Sequence, residues 1–66
     1  MSEQDPAQEL DEARRQEIFQ ALVEAQDLHE FTVPQSRSLI AHRFGISEDH
    51  VRRIEREGLD RLWPPL

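Results

Sequence analysis

The sequence lacks cysteine, and this absence excludes both disulfides and thiolate metal sites as sources of stability. The three histidines, His29, His42 and His50, lie apart without the spacing of metal ligands, so we expect no metal and no cofactor. A chain of 66 residues buries little surface, and its stability must therefore depend on a small apolar core.

Long apolar runs and catalytic motifs are also missing. No segment approaches the roughly 20 apolar residues of a membrane span, and residues 1–16 are polar and acidic, unlike a secretion signal. The chain has no Gly-rich phosphate loop and no nucleophile with a matching His and acid. We therefore expect a cytoplasmic protein that is not an enzyme and does not associate with membranes.

Positive charge is scarce, but it is unevenly distributed. The net charge of −6 argues against nucleic acid, because phosphate contacts need Lys and Arg. Residues 1–33 hold nine acids and two arginines, whereas residues 34–66 hold five acids and six arginines. Any nucleic-acid surface is therefore expected in the second half of the chain.

The pattern predicts an all-α domain whose first helix is long. We expect residues 1–5 to form a disordered leader, and Asp5-Pro6 to start a helix that runs to about residue 29. Residues 6–66 would then form a single domain. The apolar residues of this helix recur at helical spacing: Ile18, Ala21, Leu22, Ala25 and Leu28, with Phe19 and Val23 widening the stripe.

Two shorter helices are predicted after it, over about 34–44 and 48–62. Thr32 and Gln35 have the spacing of a capping box, Gly45 suits a helix C-terminus, and Ser47 suits the next N-cap. Trp63-Pro64-Pro65-Leu66 cannot continue a helix. The predicted inner face of the last helix is Val51, Ile54, Gly58 and Leu62, with Leu59 alongside.

The second and third helices have the spacing of a helix-turn-helix motif. Ala41 is small where the two helices would cross, four residues before the turn at Gly45. The positions that the motif needs apolar are Ile40, Phe44, Ile46, Val51 and Ile54. Two unrelated amphipathic helices joined by a glycine would show part of this pattern, and that interpretation stays open here.

Phe44-Gly45-Ile46-Ser47, followed by Val51-Arg52-Arg53-Ile54-Glu55 and Leu59-Asp60-Arg61-Leu62, resembles region four of bacterial primary sigma factors. The resemblance covers about residues 37–62. It implies a helix-turn-helix that reads promoter DNA and also binds RNA polymerase.

The start of the recognition helix departs from that family. The family usually has Thr-Arg-Glu-Arg where this chain has Ser47, Glu48, Asp49 and His50, so two arginines that touch DNA are replaced. Asp49 keeps the family's acid, which can accept from a cytosine amino group. Arg52 matches a family arginine, and Arg53 stands where the family has Gln.

Two functions remain open. The first is a sequence-specific DNA-binding transcription regulator, acting on double-stranded DNA as a weak, salt-sensitive binder, with a homodimer left open. Its candidate DNA contacts are Gln35, Ser36, Arg37, Arg43, Asp49, His50, Arg52, Arg53 and Arg56. The second is a protein-interaction module that docks on RNA polymerase or a sigma factor through its acidic first helix and through Trp63 and Leu66.

The charged residues can also be explained without DNA binding, by local effects on helix stability. Glu48 and Asp49 favour a helix N-terminus through the helix dipole. The arginines could pair locally, for example Arg52 with Glu48, and Arg56 with Glu55 or Asp60.

The histidines and the tryptophan can likewise be explained without a role in binding. We expect His42 and His50 to be solvated. For Trp63 the favoured interpretation is that the tail folds back and the indole completes the core against the first helix.

Overall fold

The computed structural model describes residues 10–28 and 30–66, in which three helices pack against one another. These are α1 (Glu12–Asp27), α2 (Val33–Phe44) and α3 (Glu48–Arg61). The all-α prediction is confirmed. No helix in this part of the chain is long and apolar enough to cross a membrane.

The first helix of the described residues begins after the predicted start. Asp11 is its N-cap and accepts a hydrogen bond from the Arg14 backbone N–H at 2.8 Å. The predicted start at Asp5-Pro6 lies outside the described residues, but Leu10 and Asp11 are not helical. The prediction of an unbroken helix over 6–29 is therefore wrong. An aspartate that caps the backbone fixes extended geometry at its own position, and this starts a helix only after it.

The predicted caps of α2 and α3 are confirmed. Thr32 accepts from the Gln35 N–H at 3.2 Å while Gln35 accepts from the Thr32 N–H at 2.9 Å, which completes a capping box. Gly45 ends α2 at φ 70°, in the left-handed region that glycine adopts without a steric penalty. Ser47 then caps α3 through the His50 N–H at 3.0 Å.

The core lies where the three helices meet. Its fully buried apolar side chains are Ile18, Phe19, Leu22, Ile40, Val51 and Ile54. Gly58 lets α3 approach α1, because a Cβ at this position would overlap the ring of Phe19. The apolar stripe of α1 is shorter than predicted, since Leu28 is exposed at the end of the helix.

The C-terminal tail folds back onto this core. Trp63 is buried and meets Phe19 edge to face, with ring centroids 6.0 Å apart. The interpretation of Trp63 as an exposed anchor is therefore wrong, whereas Leu66 is exposed. Leu62 was predicted on the inner face, but it leaves the helix at φ 55° and lies in solvent, because the chain turns there to bring Trp63 inward.

Candidate nucleic-acid interface

The outer face of α3 carries arginine side chains directed away from the core. Val51 and Ile54 are buried against α1 and α2, and the helical period then places Arg52, Arg53 and Arg56 on the opposite side, in solvent. This outer face lines a shallow groove that continues past the predicted residues to Asp60 and Arg61. Asp60 and Arg61 follow Arg56 by four and five residues, so helical spacing alone could have predicted that they lie on the same face.

The charge of this surface is nearly balanced. Four exposed arginines and three exposed acids share α3: Arg52, Arg53, Arg56, Arg61, Glu48, Asp49 and Asp60. Such a surface offers little excess positive charge for contacts with phosphate.

Asp49 pairs with two of these arginines. Its Oδ1 lies 3.5 Å from Nη2 of Arg52, and its Oδ2 lies 3.1 Å from Nη2 of Arg53. The expected pair between Arg52 and Glu48 is not formed; Asp49 is the partner instead. All three side chains in these pairs are more than half exposed, so water and salt weaken the attraction.

Arg56 differs from its neighbours. It lines the same groove, yet no acid in the described part of the chain lies within 4.0 Å of its guanidinium. The predicted local pairs with Glu55 and Asp60 are not formed. Among the arginines of α3, Arg56 is therefore the one whose guanidinium is not held by an acid of the described residues.

Arg37 is held by a partly buried ion pair across α2 and α3. Its Nε lies 2.9 Å from Oε1 of Glu55, and both side chains are more than two-thirds buried. The amide of Gln26 on α1 lies 3.5 Å from the other oxygen of Glu55 and 3.3 Å from the Ser36 hydroxyl. This network joins all three helices and fixes the inclination of α3 on α2.

A second partly buried pair fixes α3 on α1. The guanidinium of Arg15 donates to both oxygens of Glu57, at 2.9 and 3.2 Å, and also to the Leu10 carbonyl at 2.6 Å. A bidentate pair of this kind restricts both side chains. Together with the Glu55 network it orients the recognition helix from its two flanks.

Two predicted DNA contacts have buried side chains. Ser36 is fully buried, and its hydroxyl donates to the Val33 carbonyl at 2.7 Å. His50 is buried in the first turn of α3, so it is not solvated. Each lies on the side of its helix that faces the core, and neither side chain reaches the outer surface. Burial contradicts the expectation that His50 is solvated, and it leaves neither side chain exposed for a direct DNA contact.

Gln35 and Arg43 lie away from the α3 groove. The Gln35 side chain is exposed but is engaged in the capping box of α2. Arg43 lies over the ring of Phe44 at 5.6 Å, and Arg14 of α1 lies over the same ring at 4.9 Å. The structure therefore brings Asp49, Arg52, Arg53 and Arg56 together along one groove, and Arg43 does not line it.

Comparison with models of protein families identifies the family of this three-helix domain. The family model for sigma-70, region 4 matches residues 8–62. The protein belongs to this family. Neither the curated proteins nor the solved structures contain a match to the chain.

Family membership extends the resemblance beyond the two helices that first indicated it. The match includes α1 and its connection to α2, so the whole three-helix unit is the region 4 domain. Sigma-70 region 4 is a family of DNA-binding helix-turn-helix domains. In this chain α3 has the place of the recognition helix, behind the turn at Gly45.

Proposed function

We propose that this protein is a sequence-specific DNA-binding transcription regulator in which α3 enters the major groove. The observation that carries the proposal is the exposure of Arg52, Arg53 and Arg56 on the side of α3 opposite the core. An α-helix fits the major groove, and arginine forks there match guanine edges. Arg56 would meet phosphate, while Arg53 would read a base.

The rest of the domain supports this geometry. The ion pairs of Glu55 and Glu57 hold α3 from its two flanks, and Arg52, Arg53 and Arg56 stay exposed between them. α2 would cross the DNA backbone, as the first helix of the motif does in this class of domain. A regulator of this kind acts in the cytoplasm of a bacterium. A homodimer would place two recognition helices on one duplex and would compensate for weak binding by each.

A matched pair of substitutions tests the proposal. Affinity for a short mixed-sequence duplex is measured by fluorescence anisotropy between about 50 and 200 mM salt. We expect Arg56→Ala to weaken binding and to reduce the salt slope by about one, because one phosphate contact is lost. Arg14→Ala removes the same charge from an exposed arginine of α1 and should leave both quantities unchanged.

The comparison has clear failing outcomes. Equal losses for the two variants would mean that only net charge matters, and α3 would not be the contact surface. Absence of binding by the unmodified protein at the lowest salt would contradict DNA binding altogether.

One observation favours a second function, a protein-interaction module on the same scaffold. Asp49 and Glu55 interrupt the basic surface by pairing with Arg52, Arg53 and Arg37. The exposed acids of α1 and its cap would suit a basic patch on RNA polymerase or on a sigma factor: Asp11, Glu12, Glu17, Glu24 and Asp27. Leu66 would add an apolar contact. Binding of purified polymerase core or sigma factor, abolished by charge reversal on α1 and indifferent to Arg56→Ala, would identify this function.

A further inference from the structure

Asp49 lies at the centre of two ion pairs on the surface that the proposed function assigns to DNA. Each of its carboxylate oxygens engages a different guanidinium, Oδ1 that of Arg52 and Oδ2 that of Arg53. One acid therefore competes with DNA for two of the three arginines on the outer face of α3.

We propose that Asp49 is a specificity-determining residue that suppresses non-specific DNA binding by holding Arg52 and Arg53 in intramolecular ion pairs. The inference rests on the proposed function, because it concerns the same surface. Asp49 would weaken non-specific DNA binding, whereas the neighbouring arginines strengthen it.

Asp49 suppresses non-specific binding because Arg52 and Arg53 must exchange its carboxylate for a phosphate when they bind DNA. Non-specific affinity comes almost entirely from contacts between basic side chains and phosphate. When Arg52 or Arg53 leaves Asp49 for a phosphate, it gives up one anion to gain another. The carboxylate is left without its guanidinium, facing a polyanion. A duplex of arbitrary sequence therefore gains little from these two arginines.

A suitable sequence changes the outcome of this exchange. An exocyclic amino group of cytosine or adenine in the major groove can donate to a carboxylate, and guanine can accept from an arginine fork. Only a site that offers such a donor to Asp49 compensates for the broken pairs. A repulsive element of this kind lowers the affinity of wrong sites more than that of the right one, and this raises specificity.

Glu48 separates this role from simple stabilisation of the helix. Both acids lie in the first turn of α3, where the helix dipole favours negative charge. Both are exposed, and both bring negative charge to the same end of the helix. In the described part of the chain Asp49 contacts arginines, whereas no arginine lies within 4.0 Å of the Glu48 carboxylate. Glu48→Gln is therefore the matched control for Asp49→Asn.

The experiment compares these two variants with the unmodified protein on a mixed-sequence duplex, by anisotropy across a salt series. Circular dichroism first verifies that both variants are folded. We expect Asp49→Asn to raise affinity about two- to tenfold, which corresponds to the loss of two exposed pairs. The salt slope should steepen by about one for each released arginine that reaches a phosphate. Glu48→Gln should give a smaller gain and an unchanged slope. Adding Arg53→Ala to Asp49→Asn should remove about half of the gain, because Arg52 stays released.

Specificity is measured on duplexes selected from a random pool by the unmodified protein. The ratio of affinities for selected and mixed duplexes should fall in Asp49→Asn and stay constant in Glu48→Gln. Equal behaviour of the two variants would overturn the role of Asp49 and leave the proposed function standing. If neither the unmodified protein nor Asp49→Asn binds any duplex, the proposed function itself fails.

Discussion

Gly58 lies against the ring of Phe19, at a point where α3 and α1 come too close for any side chain on α3. A Cβ at position 58 would overlap three atoms of the ring, and the ring itself is fully buried. The contact sets the spacing between the recognition helix and the long helix that supports it.

Gly58→Ala is accordingly expected to destabilise the domain. The ring of Phe19 cannot move without disturbing the packed core, and overpacking of this kind costs about 1–3 kcal/mol. The higher helix propensity of alanine, worth about 1 kcal/mol, offsets only part of this. Urea unfolding followed by circular dichroism measures the change. A variant as stable as the unmodified protein would show that α1 and α3 are farther apart than the structure has them.

Gly45 provides the control for that experiment. It has φ 70°, but no heavy atom lies within 4 Å of the point that a Cβ would occupy, so only backbone strain opposes a side chain. Gly45→Ala should cost about 1 kcal/mol, and Gly45→Asn less, because asparagine tolerates the left-handed region. Equal stability of the Ala and Asn variants would contradict this backbone explanation.

Trp63 is expected to be a determinant of stability rather than of partner binding. It packs edge to face on Phe19 and is 4% exposed. Truncation of a buried large side chain to alanine costs about 3–5 kcal/mol, so Trp63→Ala should largely unfold so small a domain, and Trp63→Phe should be milder. Acrylamide quenching of the single tryptophan is the direct check. An indole as accessible as free tryptophan would contradict its burial.

Glu55→Gln is expected to loosen the junction of α2 and α3. The pair with Arg37 is partly buried, and removing the charge leaves the guanidinium with a weaker acceptor. We expect a loss of about 1–2 kcal/mol. Asp60→Asn, at an exposed acid on the same helix, should change stability by less than about 0.5 kcal/mol. Equal effects in the two variants would mean that the Arg37 pair contributes nothing specific.

Arg53→Ala tests base reading rather than general attraction. If Arg53 donates to a guanine, its loss should cost about 1–3 kcal/mol on a selected site and much less on a mixed duplex. Arg53→Lys keeps the charge but not the planar fork, so it should lose affinity for the selected site while its affinity for a mixed duplex stays close to that of the unmodified protein. Unchanged affinity of Arg53→Ala on the selected site would remove this residue from the interface.

Local signals in the sequence predicted much of the fold. The capping box of Thr32 and Gln35, the turn at Gly45 and the cap at Ser47 each depend on residues within one helical turn of one another. Such features need no knowledge of the rest of the chain. The crossing of α2 and α3 followed from them and from the apolar residues between the helices.

The predictions from sequence were wrong at positions where packing against distant parts of the chain determines burial or the end of a helix. Ser36 and His50 are polar residues that the sequence placed among the candidate DNA contacts, but the packing of the helices buries both side chains. Leu62 looked like a core residue by helical spacing, yet the return of Trp63 toward Phe19 ends the helix first. The choice of Asp49 over Glu48 as the partner of Arg52 depends on side-chain geometry, which periodicity does not specify.

The central claim is that the outer face of α3 binds duplex DNA, and an NMR titration of the unmodified protein tests it most directly. A mixed-sequence duplex is added at about 50 mM salt, where phosphate contacts are strong, and backbone amide shifts are followed. We expect shifts concentrated at residues 47–61, with the outer face of α1 unaffected. No shifts, or shifts confined to α1, would contradict it.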